Sequence, residues 1–184
     1  TLFPNGQIGV PTFVLAWTTT PWTLPGNTAL AVNPNADYGL VELTGEKGKE
    51  RLILTASLIN DALQNDNYKV LATFKGSDLK HLVYEPLYDP WQYSAEIRQF
   101  QHHSKNAAAH LEVVDAYTWR VVAADMVSLE DGTGVVHIAP AFGDEDLGVG
   151  RDEELGFVQH VDLQGLITGT YPFSGKFVKD ADEE

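Results

Sequence analysis

Short stretches of β-branched and aromatic residues recur along the chain and predict a mainly β fold. Residues 12–17 predict a buried strand that ends at a run of three threonines. Further strands are predicted at 28–33, 38–44, 50–55, 69–74, 119–127 and 134–139. Two of these strands flank residues 45–48, where a glycine at each end predicts a hairpin. Many short strands with few helices are typical of a β-barrel or a β-sandwich with flanking helices.

Apolar residues at helical spacing occur in only a few places. Residues 56–63 have this spacing, and Thr55 before them is a plausible N-cap. Residues 144–155 also predict a helix, because three carboxylates in the first turn suit the helix dipole and Gly156 can form a C-cap. The polar segment 102–110 predicts a mobile loop.

Composition narrows the class of protein. The chain has 184 residues, 43% of them hydrophobic and 21% charged, as in a globular protein of about one domain. No apolar run approaches the length of a membrane span, and the first residues lack the basic segment followed by an apolar segment that is typical of a secretion signal. We therefore expect no membrane partner. The absence of cysteine excludes disulfides, thiolate metal sites and cysteine nucleophiles, and agrees with a reducing compartment.

The charge balance differs from that of a typical nucleic-acid-binding protein. The formal net charge is −14, and lysine and arginine form no cluster along the sequence. Because nucleic-acid binders normally have a basic patch, composition alone disfavours a freestanding RNA or DNA binder.

Residues 17–27, Trp-Thr-Thr-Thr-Pro-Trp-Thr-Leu-Pro-Gly-Asn, form what we call the threonine segment. Its two prolines and its glycine exclude a strand and predict a structured loop or a short turn of helix. Three consecutive threonines at a strand end offer hydroxyls and free backbone amides to a carboxyl, ester or ribose oxygen, although any single one fits an ordinary strand end. Asn27 fits a turn cap and a pocket residue equally well.

Residues 132–146, Gly-Thr-Gly-Val-Val-His-Ile-Ala-Pro-Ala-Phe-Gly-Asp-Glu-Asp, form the histidine–aspartate segment. His137 shares a strand face with Val135 and Ala139, whose small side chains leave space beside the ring. This spacing favours a pocket wall, and a structural histidine is an equally open alternative. The three carboxylates suit the start of a helix, and a carboxylate is also the natural partner of an α-ammonium group. We expect Asp146 to project back towards the histidine strand.

Other polar clusters do not predict a metal or nucleotide site. His102, His103 and His110 have no converging carboxylate or cysteine pattern, so a solvated loop is the better interpretation. Gly132-Thr133-Gly134 lacks the basic residue and helix that follow a phosphate-binding loop. We therefore expect neither a metal nor a cofactor in this domain.

Together the threonine segment and the histidine–aspartate segment resemble the editing insertion, connective polypeptide 1, of isoleucyl-tRNA synthetase, a class I aminoacyl-tRNA synthetase. Residues 120–127 also look like that family, and the resemblance covers essentially the whole chain. The Thr-Pro-Trp-Thr sequence points to the isoleucyl enzyme, since valyl and leucyl relatives usually have a Thr-Arg-Pro version and no histidine at the position of His137. Because the chain has neither His-x-Gly-His nor Lys-Met-Ser-Lys-Ser, we expect a single editing domain over 1–184, excised from a larger, ATP-binding synthetase that supplies most tRNA contacts.

The resemblance implies a β-barrel core with flanking helices, of the valyl/isoleucyl/leucyl editing-domain type, in a cytoplasmic enzyme. The implied reaction is proofreading hydrolysis of valyl-tRNA(Ile), with valyl-adenylate as a second candidate substrate. The implied partners are the 3′ end of the acylated tRNA and the catalytic domain of the same chain. The alternatives are a valyl- or leucyl-type editing domain and a non-catalytic module that binds an aminoacyl end.

The resemblance also implies roles for particular residues. Asp146 would hold the substrate ammonium, and His137 would form the wall that rejects a larger side chain. The residues expected around the ester and the terminal adenosine are Thr18, Thr19, Thr20, Thr23 and Asn27, with Trp22 nearby. No serine–histidine–acid triad is evident, so we expect a water to attack the ester directly, with Asp146, Thr19 and Thr20 as the catalytic residues.

Overall fold

A computed structural model of the chain describes residues 9–45, 48–64, 67–95, 97–100, 111–113 and 118–182. The predicted loop at 102–110, with its three histidines, lies outside these residues. The strands are β1 (Thr12–Val14), β2 (Ala29–Val32), β3 (Asp37–Gly45), β4 (Gly48–Thr55), β5 (Tyr68–Lys75), β6 (Ile97–Phe100), β7 (Leu111–Val113), β8 (Arg120–Ala123), β9 (Val135–Ile138) and β10 (Gly156–Val158). The α-helices are α1 (Ile59–Leu63), α2 (Gly76–Leu79) and α3 (Asp144–Asp152), and 3-10 helices cover Pro21–Gly26, Ala56–Leu58 and Val178–Asp180.

The largest described sheet has the strand order β1-β4-β3-β5. The predicted hairpin is confirmed, because β3 and β4 pair antiparallel from Tyr38–Thr55 to Gly45–Gly48. β5 adds antiparallel to β3, and β1 adds parallel to β4. β1 is shorter than the predicted strand 12–17, since regular pairing ends at Val14 and only an isolated bridge follows, between Trp17 and Val136.

Two further sheets have the orders β8-β2-β9 and β10-β6-β7. The strands predicted at 28–33, 119–127 and 134–139 are present as the shorter β2, β8 and β9. The fold is therefore mainly β with a few helices, as predicted. Closure of the sheets into a barrel stays a prediction.

The predicted helices differ from the structure at their ends. The segment 56–63 is a 3-10 turn followed by α1, and the Thr55 hydroxyl does not cap it but donates to the Asp37 carbonyl at 3.2 Å. The predicted helix 144–155 ends at Asp152. Gly156 is not its C-cap, because the left-handed turn is made earlier, at Glu154 (φ 53°), and Gly156 already pairs with the sheet. In the described ranges, no helix combines the length and apolar character needed to cross a bilayer.

The chain divides into two compact units. The first comprises Thr1–Thr18, Ala31–Leu82 and Val121–Val136, and contains a buried cluster of Val41, Leu52, Leu54 and Ile59. The second comprises Thr19–Leu30, Val83–Arg120 and His137–Glu184, and contains a buried cluster of Val161, Ile167, Tyr171, Phe173, Val178 and Ala181. The single domain 1–184 stays a prediction.

Gly134→Ala should destabilise the first unit by about 2–4 kcal/mol. Gly134 has φ +67°, and a Cβ there would lie 2.6 Å from the Thr55 side chain. Its carbonyl also accepts a 2.5 Å hydrogen bond from the buried Tyr38 hydroxyl, so the backbone cannot shift freely. Urea unfolding measures the loss. Gly45→Ala is the matched control, because a Cβ at Gly45 meets nothing within 4 Å; equal losses in the two variants would contradict the steric explanation.

Candidate functional site

The threonine segment contains a turn of 3-10 helix, Pro21–Gly26. Proline at the first helical position suits this start, because it has no N–H to leave unpaired and its φ is already helical. The carbonyl of Thr20 accepts hydrogen bonds from both the Thr23 N–H, at 3.1 Å, and the Thr23 hydroxyl, at 2.8 Å. These bonds confirm the short helical turn that the sequence predicted, and they fix the Thr23 side chain.

The Thr23 hydroxyl also contacts the ring of His137, with 3.0 Å between Oγ1 and Nε2. A hydroxyl has one proton, and the Thr20 carbonyl can only accept, so Thr23 donates to Thr20 and accepts from His137. His137 must then have its proton on Nε2. Nδ1 is left as an acceptor, and it is buried with no hydrogen-bond partner among the described residues. Two segments 114 positions apart in sequence thereby meet at one hydrogen bond.

His137 is an uncharged group at neutral pH. The residue is 8% exposed, and burial lowers the pKa of its imidazole below the usual value, although the negative charge of Asp146 partly offsets this effect. A neutral ring held by Thr23 presents fixed bulk and one free acceptor atom. Both properties suit the wall of a small polar pocket.

Asp146 lies in the first turn of α3, and its carboxylate points back to the end of β9, the strand that contains His137. Oδ2 accepts a 2.8 Å hydrogen bond from the backbone N–H of Ala139. This is the projection that the sequence predicted. One carboxylate oxygen is thereby fixed, and the second can accept from a cationic ligand such as an ammonium group.

Asn27 is tied into the protein by its side chain and its backbone. Its Nδ2 donates to the Ala29 carbonyl at 2.8 Å, and its Oδ1 accepts from the Tyr84 hydroxyl at 2.5 Å. Burial raises the pKa of that hydroxyl, so it stays protonated and remains a donor. The Asn27 carbonyl accepts from the indole N–H of Trp119 at 3.1 Å. These contacts give Asn27 a structural role at the end of the threonine segment.

Trp22 is held by two residues that the sequence analysis did not single out. Its carbonyl lies 2.9 Å from Nε2 of His160, and its N–H donates to Oδ1 of Asp182 at 2.9 Å. The indole packs edge-on against Phe142, with 5.2 Å between ring centroids. The available signal was a histidine in a largely apolar stretch at 155–161, and nothing in the sequence indicated its partner 138 positions away.

The second unit thus contains most of the predicted site residues: Thr19, Thr20, Trp22, Thr23, Asn27, His137 and Asp146. Direct hydrogen bonds join Thr20, Thr23 and His137. Thr19 is exposed, whereas Thr18 is half-buried and belongs to the first unit. No group of three or more histidine, cysteine, aspartate or glutamate side chains positioned to hold a metal occurs in the described ranges.

Thr23→Val should lower the free energy of unfolding by about 1–3 kcal/mol, because it leaves the buried Nε2–H of His137 without an acceptor. Thr23→Ser keeps the hydroxyl and is the control, with an expected loss of less than about 1 kcal/mol. Chemical denaturation of both variants measures the difference. If valine and serine destabilise equally, the hydroxyl is not the group that matters.

No family model matches the chain. The isoleucine–tRNA ligase of Dehalococcoides mccartyi strain CBDB1 is 41% identical over 174 residues, which cover 95% of this chain and 16% of that ligase. The isoleucine–tRNA ligase of Picrophilus torridus is 40% identical over 171 residues, which cover 93% of this chain and 14% of that ligase.

Over nearly its whole length, this chain is homologous to one segment of isoleucine–tRNA ligases. The family recognised from the threonine and histidine–aspartate segments is therefore confirmed. The chain spans only about a sixth of the length of the ligases it matches. Among solved structures, the crystal structure of GlLeuRS-CP1 has a TM-score of 0.56 and 18% identity, covering 78% of this chain and 46% of that one, so the two share a fold.

Proposed function

We propose that this chain is the editing domain of an isoleucine–tRNA ligase and hydrolyses valyl-tRNA(Ile), with valyl-adenylate as a second substrate. The observation that most supports this proposal is the arrangement of Asp146 and His137 in the second unit. A carboxylate anchored at one oxygen lies close enough to a neutral, fixed imidazole to influence its pKa. Homology to these ligases and the fold shared with GlLeuRS-CP1 agree with this proposal.

Asp146 binds the α-ammonium group of the aminoacyl moiety. The Ala139 N–H fixes the carboxylate before substrate arrives, so little side-chain freedom is lost on binding. The carboxylate and the ammonium form a charge-assisted hydrogen bond, which is stronger than a neutral one. This bond selects aminoacyl groups and orients the ester that follows the α-carbon.

His137 provides the size limit. A hydrophobic pocket distinguishes isoleucine from valine by only about 1–3 kcal/mol for the missing methylene, a range for which isoleucyl-tRNA synthetase is itself the standard example rather than a value derived from this chain. A second site that admits valine and excludes isoleucine therefore raises accuracy. Because Thr23 holds the His137 ring in place, the larger side chain cannot push it aside without breaking a buried hydrogen bond.

Hydrolysis proceeds by direct attack of water on the ester carbonyl. The water oxygen bonds to the carbonyl carbon, the bond to the ribose oxygen breaks, and that oxygen leaves with a proton. Asp146 orients the substrate, while Thr19 and Thr20 line the ester and help to place the water. Because the site holds the water and the ester in contact, the entropy cost of bringing them together is met on binding rather than in the chemical step. This proximity contributes much of the acceleration.

The wider setting is part of the same proposal. The chain is a single domain over 1–184 with a barrel core, it works beside the catalytic domain of a cytoplasmic ligase, and it needs no cofactor. It contacts the acylated 3′ end of tRNA(Ile) through the threonine segment: Thr18, Thr19, Thr20, Trp22, Thr23 and Asn27. Most other tRNA contacts come from the rest of the ligase, which agrees with the net charge of −14.

To test the proposal, the purified protein is incubated with valyl-tRNA(Ile) and its deacylation is measured, with isoleucyl-tRNA(Ile) as the matched control. We expect turnover of valyl-tRNA(Ile) and at least about tenfold slower turnover of isoleucyl-tRNA(Ile). Binding of valyl-tRNA(Ile) without turnover would instead support a non-catalytic module. Preference for a threonyl ester would point to a valyl-type editing domain.

A further inference from the structure

His160 is a buried histidine with defined contacts and no role in the proposed chemistry. It follows β10 and has no exposed surface. Its ring packs edge-on against Phe142, with 4.8 Å between centroids, and lies 5.9 Å from the ring of Tyr171. A polar side chain so deeply buried costs free energy unless its hydrogen bond repays the cost.

The hydrogen bond of His160 is made to the threonine segment. Nε2 lies 2.9 Å from the Trp22 carbonyl, and a carbonyl can only accept, so Nε2 has the proton. That carbonyl belongs to the peptide group whose N–H is on Thr23, and this N–H donates to the Thr20 carbonyl at 3.1 Å. The peptide between Trp22 and Thr23 is therefore held from both sides.

The preceding peptide group is held as well. Its N–H, on Trp22, donates to the carboxylate of Asp182 at 2.9 Å. The end of the same 3-10 helix packs closely on the His160 side, since a Cβ at Gly26 would lie 2.6 Å from the Phe142 ring and 3.3 Å from the His160 ring. Two successive peptide groups and the end of the helix thus have fixed places.

We infer that His160 is a positioning residue for the editing reaction: by holding the Trp22 carbonyl it fixes Thr23, and Thr23 in turn fixes the ring of His137. This inference rests on the proposed function. The effect is transmitted by a hydrogen bond from His160 to Trp22, by the peptide group between Trp22 and Thr23, and by the hydrogen bond between Thr23 and His137. Asp182 assists from the other side of Trp22.

If His160 only filled space in the core, an apolar residue of similar size could replace it without loss of activity. If His160 positions Trp22, the replacement must keep a hydrogen-bond donor at the place of Nε2. His160→Gln places an amide N–H close to the position of Nε2, whereas His160→Leu removes the donor. For the leucine variant we expect kcat for valyl-tRNA(Ile) to fall about 10- to 100-fold with KM changed less than about threefold. A displaced Thr23 also shifts Thr20, whose carbonyl Thr23 binds and which lines the ester, while Asp146 still binds the ammonium. Glutamine should restore kcat to within about threefold of wild type.

A readout independent of activity separates this inference from the proposed function. The 15N and 1H chemical shifts of the Thr23 amide and the His137 ring should move in His160→Leu and return towards wild type in His160→Gln. If the wild-type chain does not deacylate valyl-tRNA(Ile), the proposed function fails, and these shifts still show whether His160 positions Thr23. Unmoved shifts and unchanged kcat in the leucine variant would overturn the inference, as would a glutamine variant as impaired as leucine.

Asp182→Ala provides a test that does not disturb the buried cluster, since Asp182 is exposed. It removes the acceptor of the Trp22 N–H, and Asp182→Asn retains an acceptor oxygen. We expect alanine to shift the Thr23 amide resonance in the same direction as His160→Leu, and asparagine to leave it near wild type. A Thr23 resonance that responds to neither Asp182→Ala nor His160→Leu would contradict the positioning of Thr23 through Trp22.

Discussion

Replacing Asp146 with asparagine should lower kcat/KM for valyl-tRNA(Ile) at least about a hundredfold, with a change in the free energy of unfolding below about 1 kcal/mol. The two effects separate because the carboxylate has two tasks. Its Oδ2 accepts from the Ala139 N–H, and an asparagine side-chain oxygen accepts equally well. In the proposed reaction its negative charge attracts the substrate ammonium, and asparagine has no charge to replace it. Single-turnover deacylation and urea unfolding measure the two quantities.

Alanine at the same position distinguishes the tasks further. Asp146→Ala should lose deacylation to the same extent and also about 1–3 kcal/mol of stability, because Ala139 is buried and its N–H is left unpaired. Asp144→Asn is the matched control, since Asp144 is an exposed carboxylate in the same helical turn. Its kcat/KM should stay within about twofold of wild type. An Asp146→Asn variant with wild-type turnover would remove Asp146 from the mechanism.

Acid should destabilise the chain by about 3 kcal/mol through His160 alone as pH falls from 6.5 to about 4. Burial lowers the pKa of His160 to about 4, from an ordinary value of 6.5. Between these values the unfolded chain binds a proton that the folded chain does not, so the free energy of unfolding rises with pH. The stabilising effect of the neutral ring is fully present above 6.5, and its loss is complete below about 4.

His160→Gln isolates this contribution. Glutamine does not titrate, so the difference in unfolding free energy between wild type and variant should be constant above pH 6.5 and shrink by about 3 kcal/mol towards pH 4. His137 also has a lowered pKa and adds acid sensitivity of the same sign, but it is present in both proteins and cancels in the difference. Urea unfolding at a series of pH values supplies the data. A difference independent of pH would mean that His160 titrates normally when folded.

Local sequence patterns predicted the elements that depend on neighbouring residues. The hairpin of β3 and β4 follows from two glycines between alternating strands, and the 3-10 turn at Pro21–Gly26 follows from its prolines. The ends of helices are harder to predict from local patterns. Gly156 looked like a cap because glycine commonly ends helices, yet sheet pairing with β6 determines its place. Pairing between distant strands is invisible to a local pattern.

The candidate site also combines contacts that the sequence predicts with contacts that only the fold reveals. The direction of Asp146 was predictable, because a helix that directly follows a strand places its first-turn side chains near the strand end. The hydrogen bond from His137 to Thr23 joins residues 114 positions apart and required the fold. His160 and Asp182 were missed because their partner, Trp22, is also distant and offers only backbone atoms. A backbone acceptor leaves no signature in a side-chain pattern.

A crystal structure of the chain with a non-hydrolysable valyl-adenosine analogue tests the central claim most directly. We expect the ammonium nitrogen about 3 Å from the Asp146 carboxylate, with the valine side chain facing the His137 ring. The Ala139 N–H should still donate to Asp146, and the Thr23 hydroxyl should still contact His137. An analogue bound elsewhere, or bound with its ammonium away from Asp146, would contradict the account.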